Sequence, residues 1–242
     1  MMDIKTLILS NMIVSAFFWI AFFLYRSEQK TYRGFRLWNF SVLIMTLGFL
    51  AIILRGTISV GLSIFAVNAL FVLVAVIRLD AIKRFLVNES QNKLLYIIPI
   101  VVALVGISFY FVVDQIEIRT FIVSFALCIL SVSIAYYLIR YSPPENRLLY
   151  YSAGIFIAVR GLTVLTRAFF LHADNQHHIF DAGIWSSIQL EFGLVSEIGQ
   201  NVFFLMMNGK RAETNFSRSE SKLNSTVIDL KKVLFGYRHK IV

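Results

Sequence analysis

Seven times between Leu7 and Met207 the chain runs for 18–25 residues with mostly apolar side chains. A helix rises about 1.5 Å per residue, so about 20 such residues cross the roughly 30 Å hydrocarbon core of a bilayer. The runs are Leu7–Tyr25, Leu37–Leu54, Ile58–Ile77, Leu94–Val113, Thr120–Ile139, Leu148–Phe170 and Gly183–Met207. Backbone polar groups inside lipid must be satisfied within the protein, which leaves helices or closed barrels. No alternation of polar and apolar residues at ten-residue spacing is present, so a barrel is excluded. The expected fold class is all-α: a polytopic membrane protein built as a seven-helix bundle over 1–207, followed by a C-terminal cytoplasmic helix over 208–242. Composition agrees, because 58% hydrophobic and 15% charged residues is far from the roughly 25% charge of a soluble domain. A single cysteine, Cys128, rules out a disulfide framework and any thiolate zinc site within one chain. It sits among Leu and Ile in the fifth run and reads as packing.

The net charge of +9 would suit nucleic acid, but its placement does not. Basic residues cluster in short connections between the apolar runs, and no nucleic-acid-binding motif accompanies them. Eighteen of the 23 Lys and Arg fall in the 26–36, 78–93 and 140–147 connections and in the tail, against Lys5, Arg55 and Arg119 on the other side. The positive-inside rule then places the N-terminus outside and the C-terminus on the cytoplasmic side. Tyr25 and Trp38 at the inner boundary and Trp185 at the outer one stand where interfacial aromatics are expected. The first run is long for a signal peptide and ends in FFLYRSEQK without a small-residue cleavage site, so it is expected to remain in the mature protein. The outer connections are too short to fold, so a stimulus or solute must be met inside the bundle or at its outer mouth.

Four ionisable residues interrupt the last two runs: Arg160, Arg167, Glu191 and Glu197. Charges at such depth face the bundle interior and find partners. Counted from the cytoplasmic ends, Arg160 and Glu197 lie roughly 18 and 15 Å deep, and Arg167 and Glu191 roughly 28 and 24 Å. Antiparallel neighbours therefore bring Arg160 level with Glu197 and Arg167 level with Glu191. Glu191 and Glu197 point about 120° apart on their helix, so the first pair has the better geometry. Such pairs either lock two helices together or line a polar pocket for a small ligand or ion, with Asn68, Gln189 and Gln200 as further lining. The outer segment LHADNQHHIFDA carries His172, His177 and His178 beside Asp174 and Asp181. These could hold a transition metal, but the spacing matches no defined zinc signature, and no cofactor is expected.

Past Met207 the composition turns polar. Phe216, Glu220, Leu223, Val227, Leu230 and Leu234 are spaced 4, 3, 4, 3, 4, a heptad seam marred by one Glu. A helix of this kind pairs with its copy in a homodimer, the reading the 3.5-residue period favours. The alternative is a basic helix lying on membrane lipid, where Lys231, Lys232, Arg238 and Lys240 meet anionic headgroups.

The segments DIKTLILSN, RLWNF, ILRG and MMNGKRAETNF together resemble the seven-span amino-terminal sensory module of bacterial sensor histidine kinases and membrane-bound diguanylate cyclases, over about residues 3–215. The resemblance implies reception in the membrane and transmission along a helical linker to a cytoplasmic output domain or signalling protein. Neither a GGDEF motif nor a kinase ATP lid occurs before Val242, so the expectation is a truncated chain or one that acts through a separate output protein. The ending GYRHKIV resembles the start of a phosphoacceptor helix, which would make His239 the phosphorylated residue.

A receptor-like, non-enzymatic signal-transduction module is therefore the leading expectation. The alternative is a small permease using the Arg–Glu layer, although paired Gly/Pro interruptions in matching halves are missing. A retinal protein would need a lysine in the last run, which has none, and no HExxH or GxSxG motif marks an intramembrane enzyme.

Overall fold

Leu, Ile, Val and Phe dominate the runs, and with no strand partner in lipid they close their backbone hydrogen bonds along the chain. The computed structural model describes residues 4–90, 93–112, 116–170 and 184–238, and among these every regular element is helical. In order they are α1 (Ile4–Glu28), α2 (Phe35–Ile53), α3 (Val60–Leu86), α4 (Ile98–Val112), α5 (Ile116–Arg140), α6 (Arg147–Phe170) and α7 (Ile184–Arg238). Short 3₁₀ turns at Leu54–Gly56, Lys93–Ile97 and Pro144–Asn146 complete the set.

Among the described residues, six helical segments are long and apolar enough to cross a membrane: Ile4–Glu28, Phe35–Ile53, Val60–Leu86, Lys93–Phe111, Ile118–Arg140 and Pro144–Thr166. The chain thus has the build of a multi-pass membrane protein. Large apolar side chains such as Phe17, Phe23, Leu62 and Ile155 stand more than half exposed, as lipid-facing residues must. α7 is not among the six; Gln189, Glu191, Glu197, Gln200 and Asn201 dilute its apolar content.

Two compact units divide the chain, Met1–Phe203 and Phe204–Val242. In the first, α1, α2 and α3 share a core of Ile4, Ile8, Ile44, Met45, Phe49, Ile52, Val67, Val74 and Ile77, with Leu190 packed against it. Every residue from Val74 to Ile82 is buried, so α3 is enclosed on all sides at that level. Gly34 seats α2 on this segment. Its φ is +91°, and a Cβ there would lie 2.1 Å from the Ala81 carbonyl oxygen, a position only glycine accepts. In the second unit, Phe216, Leu223, Val227 and Leu230 are exposed, and Lys210 pairs with Glu213 at 2.7 Å.

The third helix differs from expectation. Its apolar run stops at Ile77, but the helix continues to Leu86. Arg78 therefore does not belong to a basic connection: it is 1% exposed inside α3. The 78–93 segment still holds Lys83, Arg84 and Lys93, so the asymmetry of basic residues survives the loss of Arg78. Trp38, expected at an interface, is likewise 1% exposed. Both corrections have one cause, which lies in what these two side chains meet.

Candidate functional site

Arg78 and Glu197 form the centre of a buried polar layer. The guanidinium engages the carboxylate through both nitrogens: Nη1 donates to Oε2 at 3.0 Å and Nη2 donates to Oε1. This two-pronged geometry fits the planar guanidinium to the planar carboxylate. Nη1 also donates to Gln200 Oε1 at 3.0 Å, and Nε donates to Ser41 Oγ at 3.2 Å. Asn201 donates from Nδ2 to Glu197 Oε1 at 3.1 Å and accepts from Trp38 Nε1 at 2.9 Å. The guanidinium carbon of Arg78 lies 5.1 Å from the centroid of the Trp38 ring, within cation–π range. Three helices thus meet: α2 brings Trp38 and Ser41, α3 brings Arg78, and α7 brings Glu197, Gln200 and Asn201.

Helical spacing explains the placement. Glu197, Gln200 and Asn201 stand at i, i+3 and i+4, one face of α7. Trp38 and Ser41, three apart, share a face of α2. Glu197 is fully buried, and burying a carboxylate is tolerated only with its charge paired and its oxygens bonded.

Of the residues singled out from sequence, Arg160 joins this layer from α6, with Nη1 3.9 Å from Glu197 Oε2. That is an ion pair too long for a hydrogen bond. Glu197 therefore meets two arginines, and its principal partner is the one on α3 that the sequence reading left in a connection. Glu191 is exposed, and the side chain of Arg167 lies outside the described residues. Gln189 donates instead to the Thr163 carbonyl at 3.2 Å. Asn68 stands ten residues before Arg78 on α3, about 15 Å along the helix, beside Gly106 of α4. Gln189 thus turns to α6, and Asn68 stands toward α4, away from the Arg78–Glu197 layer. His172, His177, His178 and His239 lie outside the described residues, as does the side chain of Leu234.

A second charged cluster begins two residues further along α3. Asp80, fully buried, accepts from Arg84 Nε at 3.0 Å and Nη2 at 2.9 Å, and from the Tyr96 hydroxyl at 2.6 Å. This cluster was not singled out from sequence, although Asp80 and Arg84 have the i,i+4 spacing of a helical ion pair. Ile77, Ala81 and Phe85 also continue the apolar period beyond Arg78, the signal that would have extended α3. A further pair of arginines approaches at the opposite end of α3. Arg55 donates from Nε to Ser63 Oγ at 3.3 Å, and burial, aided by the like charge of Arg119, holds its pKa below the usual arginine value.

No family model matches this chain, and no curated protein or solved structure shows significant similarity to it.

Proposed function

We propose that the chain is a receptor-like sensory module of a bacterial inner membrane. It crosses the membrane seven times with its N-terminus outside, and relays a signal along α7 to a cytoplasmic partner. The observation that carries this reading is α7 itself. One helical element holds Glu197, the carboxylate of the buried layer, and further along presents the exposed residues of the 216–230 seam. A change at Glu197 has a mechanical outlet in such an element, provided a ligand binds two states of the bundle with different affinity. Glu197 and Gln200, two of the polar residues that lower the hydropathy of the 184–207 segment, partner Arg78 inside the bundle, which supports reading this segment as the seventh span. The surplus of Lys and Arg in the tail and in the 26–36 and 140–147 connections supports the orientation.

The seam pairs with that of a second copy in the same membrane. Leu223 and Leu230 take d positions and Val227 an a position, the pattern of two-stranded parallel coils. Single cysteines replacing Leu223 and Leu230, in a Cys128→Ser background in native membranes, are expected to crosslink, whereas one replacing Ser225 on the outward face is not. Absence of crosslinking at all three positions would remove the dimeric relay and bring the permease alternative forward.

A further inference from the structure

The buried layer does not balance. Arg78 and Arg160 bring two positive charges to it, and Glu197 is the carboxylate both of them meet. Glu197 accepts three hydrogen bonds, from Arg78 and Asn201, and Arg160 approaches Oε2 at 3.9 Å without making one. The Arg160 side chain is 20% exposed, so its charge lies at the edge of the layer rather than sealed within it. In the same layer, Gln200 uses its carbonyl on Arg78 and leaves its buried amide Nε2 with no acceptor among the described residues. One turn up the same face of α7, Ser196 Oγ is also buried and has no partner among the described residues. Unmet donors in so dry a setting are costly, and in membrane interiors such groups mark binding positions.

A surplus positive charge, an amide N–H pair and a hydroxyl ask for an acceptor that carries negative charge. We propose that Arg160, Gln200 and Ser196 form a site for a short-chain monocarboxylate, a refinement that rests on the sensory reading above. One carboxylate oxygen accepts from the Arg160 guanidinium and the other from Gln200 Nε2, with Ser196 Oγ as a third donor. The bound anion gives Arg160 a counter-charge and brings the layer to neutrality. A two-oxygen acceptor meets the guanidinium and the amide at once, which a single spherical halide does less well. The tail of the ligand finds an apolar wall. Phe156 lies one turn before Arg160 on α6, and its ring fits so closely over Gly199 that a Cβ there would lie 2.5 Å from two ring carbons. The same ring packs at a tilt against Phe203, with centroids 5.6 Å apart, which extends the apolar wall.

The test is equilibrium binding of radiolabelled propionate to the purified full-length chain, with ionic strength held by potassium sulfate. Saturable binding is expected, competed by acetate and not by chloride. Gln200→Met keeps the shape of the side chain and removes the amide, and is expected to weaken binding about tenfold or more. Arg160→Gln is expected to abolish it. Absence of saturable propionate binding, binding unchanged in Gln200→Met, or equal competition by chloride would each overturn the proposal. Loss of propionate binding with crosslinking at Leu223 intact removes the carboxylate and leaves the sensory module standing. Propionate binding without crosslinking keeps the site and removes the relay.

Discussion

Two charged clusters sit two residues apart on α3 and are built in opposite ways. The Asp80 cluster is local: Arg84 lies one turn away on the same helix, and Tyr96 comes from the 3₁₀ turn that follows. Arg84 is 41% exposed, so solvent shares its charge. The Arg78 cluster is assembled from distant parts of the chain, with Glu197 119 residues away, and both charges of the central pair are out of water. A local pair with one partner near water adds little, although the buried Asp80 carboxylate still needs a cation beside it. A buried pair assembled across helices adds little net energy when intact but is expensive to break, because removing one partner strands the other.

The sharpest way to break the contrast is Glu197→Leu, which takes from Arg78 and Arg160 the carboxylate that both of them meet. A loss of about 3–5 kcal/mol is expected, read as the fall in Tm of the detergent-purified protein. Adding Arg78→Met should restore part of it, and a double mutant no better than either single variant would show the pair to be uncoupled. Gly34→Ala comes next. It forces a Cβ into the Ala81 carbonyl and pushes α2, with Trp38 and Ser41, away from Arg78. About 1–3 kcal/mol of destabilisation is expected, with a changed Trp fluorescence that Arg84 variants should not produce. Trp38→Phe removes the donor to Asn201 and should cost about 1 kcal/mol, measured by the same unfolding experiment. Smallest is Arg84→Lys, which keeps a cation on the buried Asp80 carboxylate and leaves the Tyr96 hydroxyl in place, expected to cost less than about 1 kcal/mol in the same unfolding experiment.

Much of the helix plan was legible because its causes are local. Six of the apolar runs correspond to helices long and apolar enough to span a membrane, and the largest shift of a boundary, at the end of α3, comes where charge masked the period. α3 passes Ile77 because Arg78 and Asp80 are neutralised where they lie, and hydropathy cannot register a partner. Trp38 looked like an interfacial anchor for the same reason: its indole N–H needs an acceptor, and Asn201 supplies one inside the bundle. Within the candidate site, Glu197 was visible as a carboxylate in an apolar run. Arg78, Ser41, Trp38 and Asn201 were not, since nothing in their own surroundings sets them apart from a loop arginine or routine helix-to-helix polar contacts.

The sequence by itself determined that this chain is helical and multi-pass, because the demand for satisfied backbone groups in lipid acts on each segment separately. It also determined that charge would have to be buried, by placing Glu197 and Arg160 within apolar runs. Which cation answers which carboxylate was decided only by the tertiary structure. Pairing depends on which helices are neighbours and which faces they turn to each other, and helix period alone carries neither. That is why Glu197 is held by an arginine on α3, with Arg160 left at its edge.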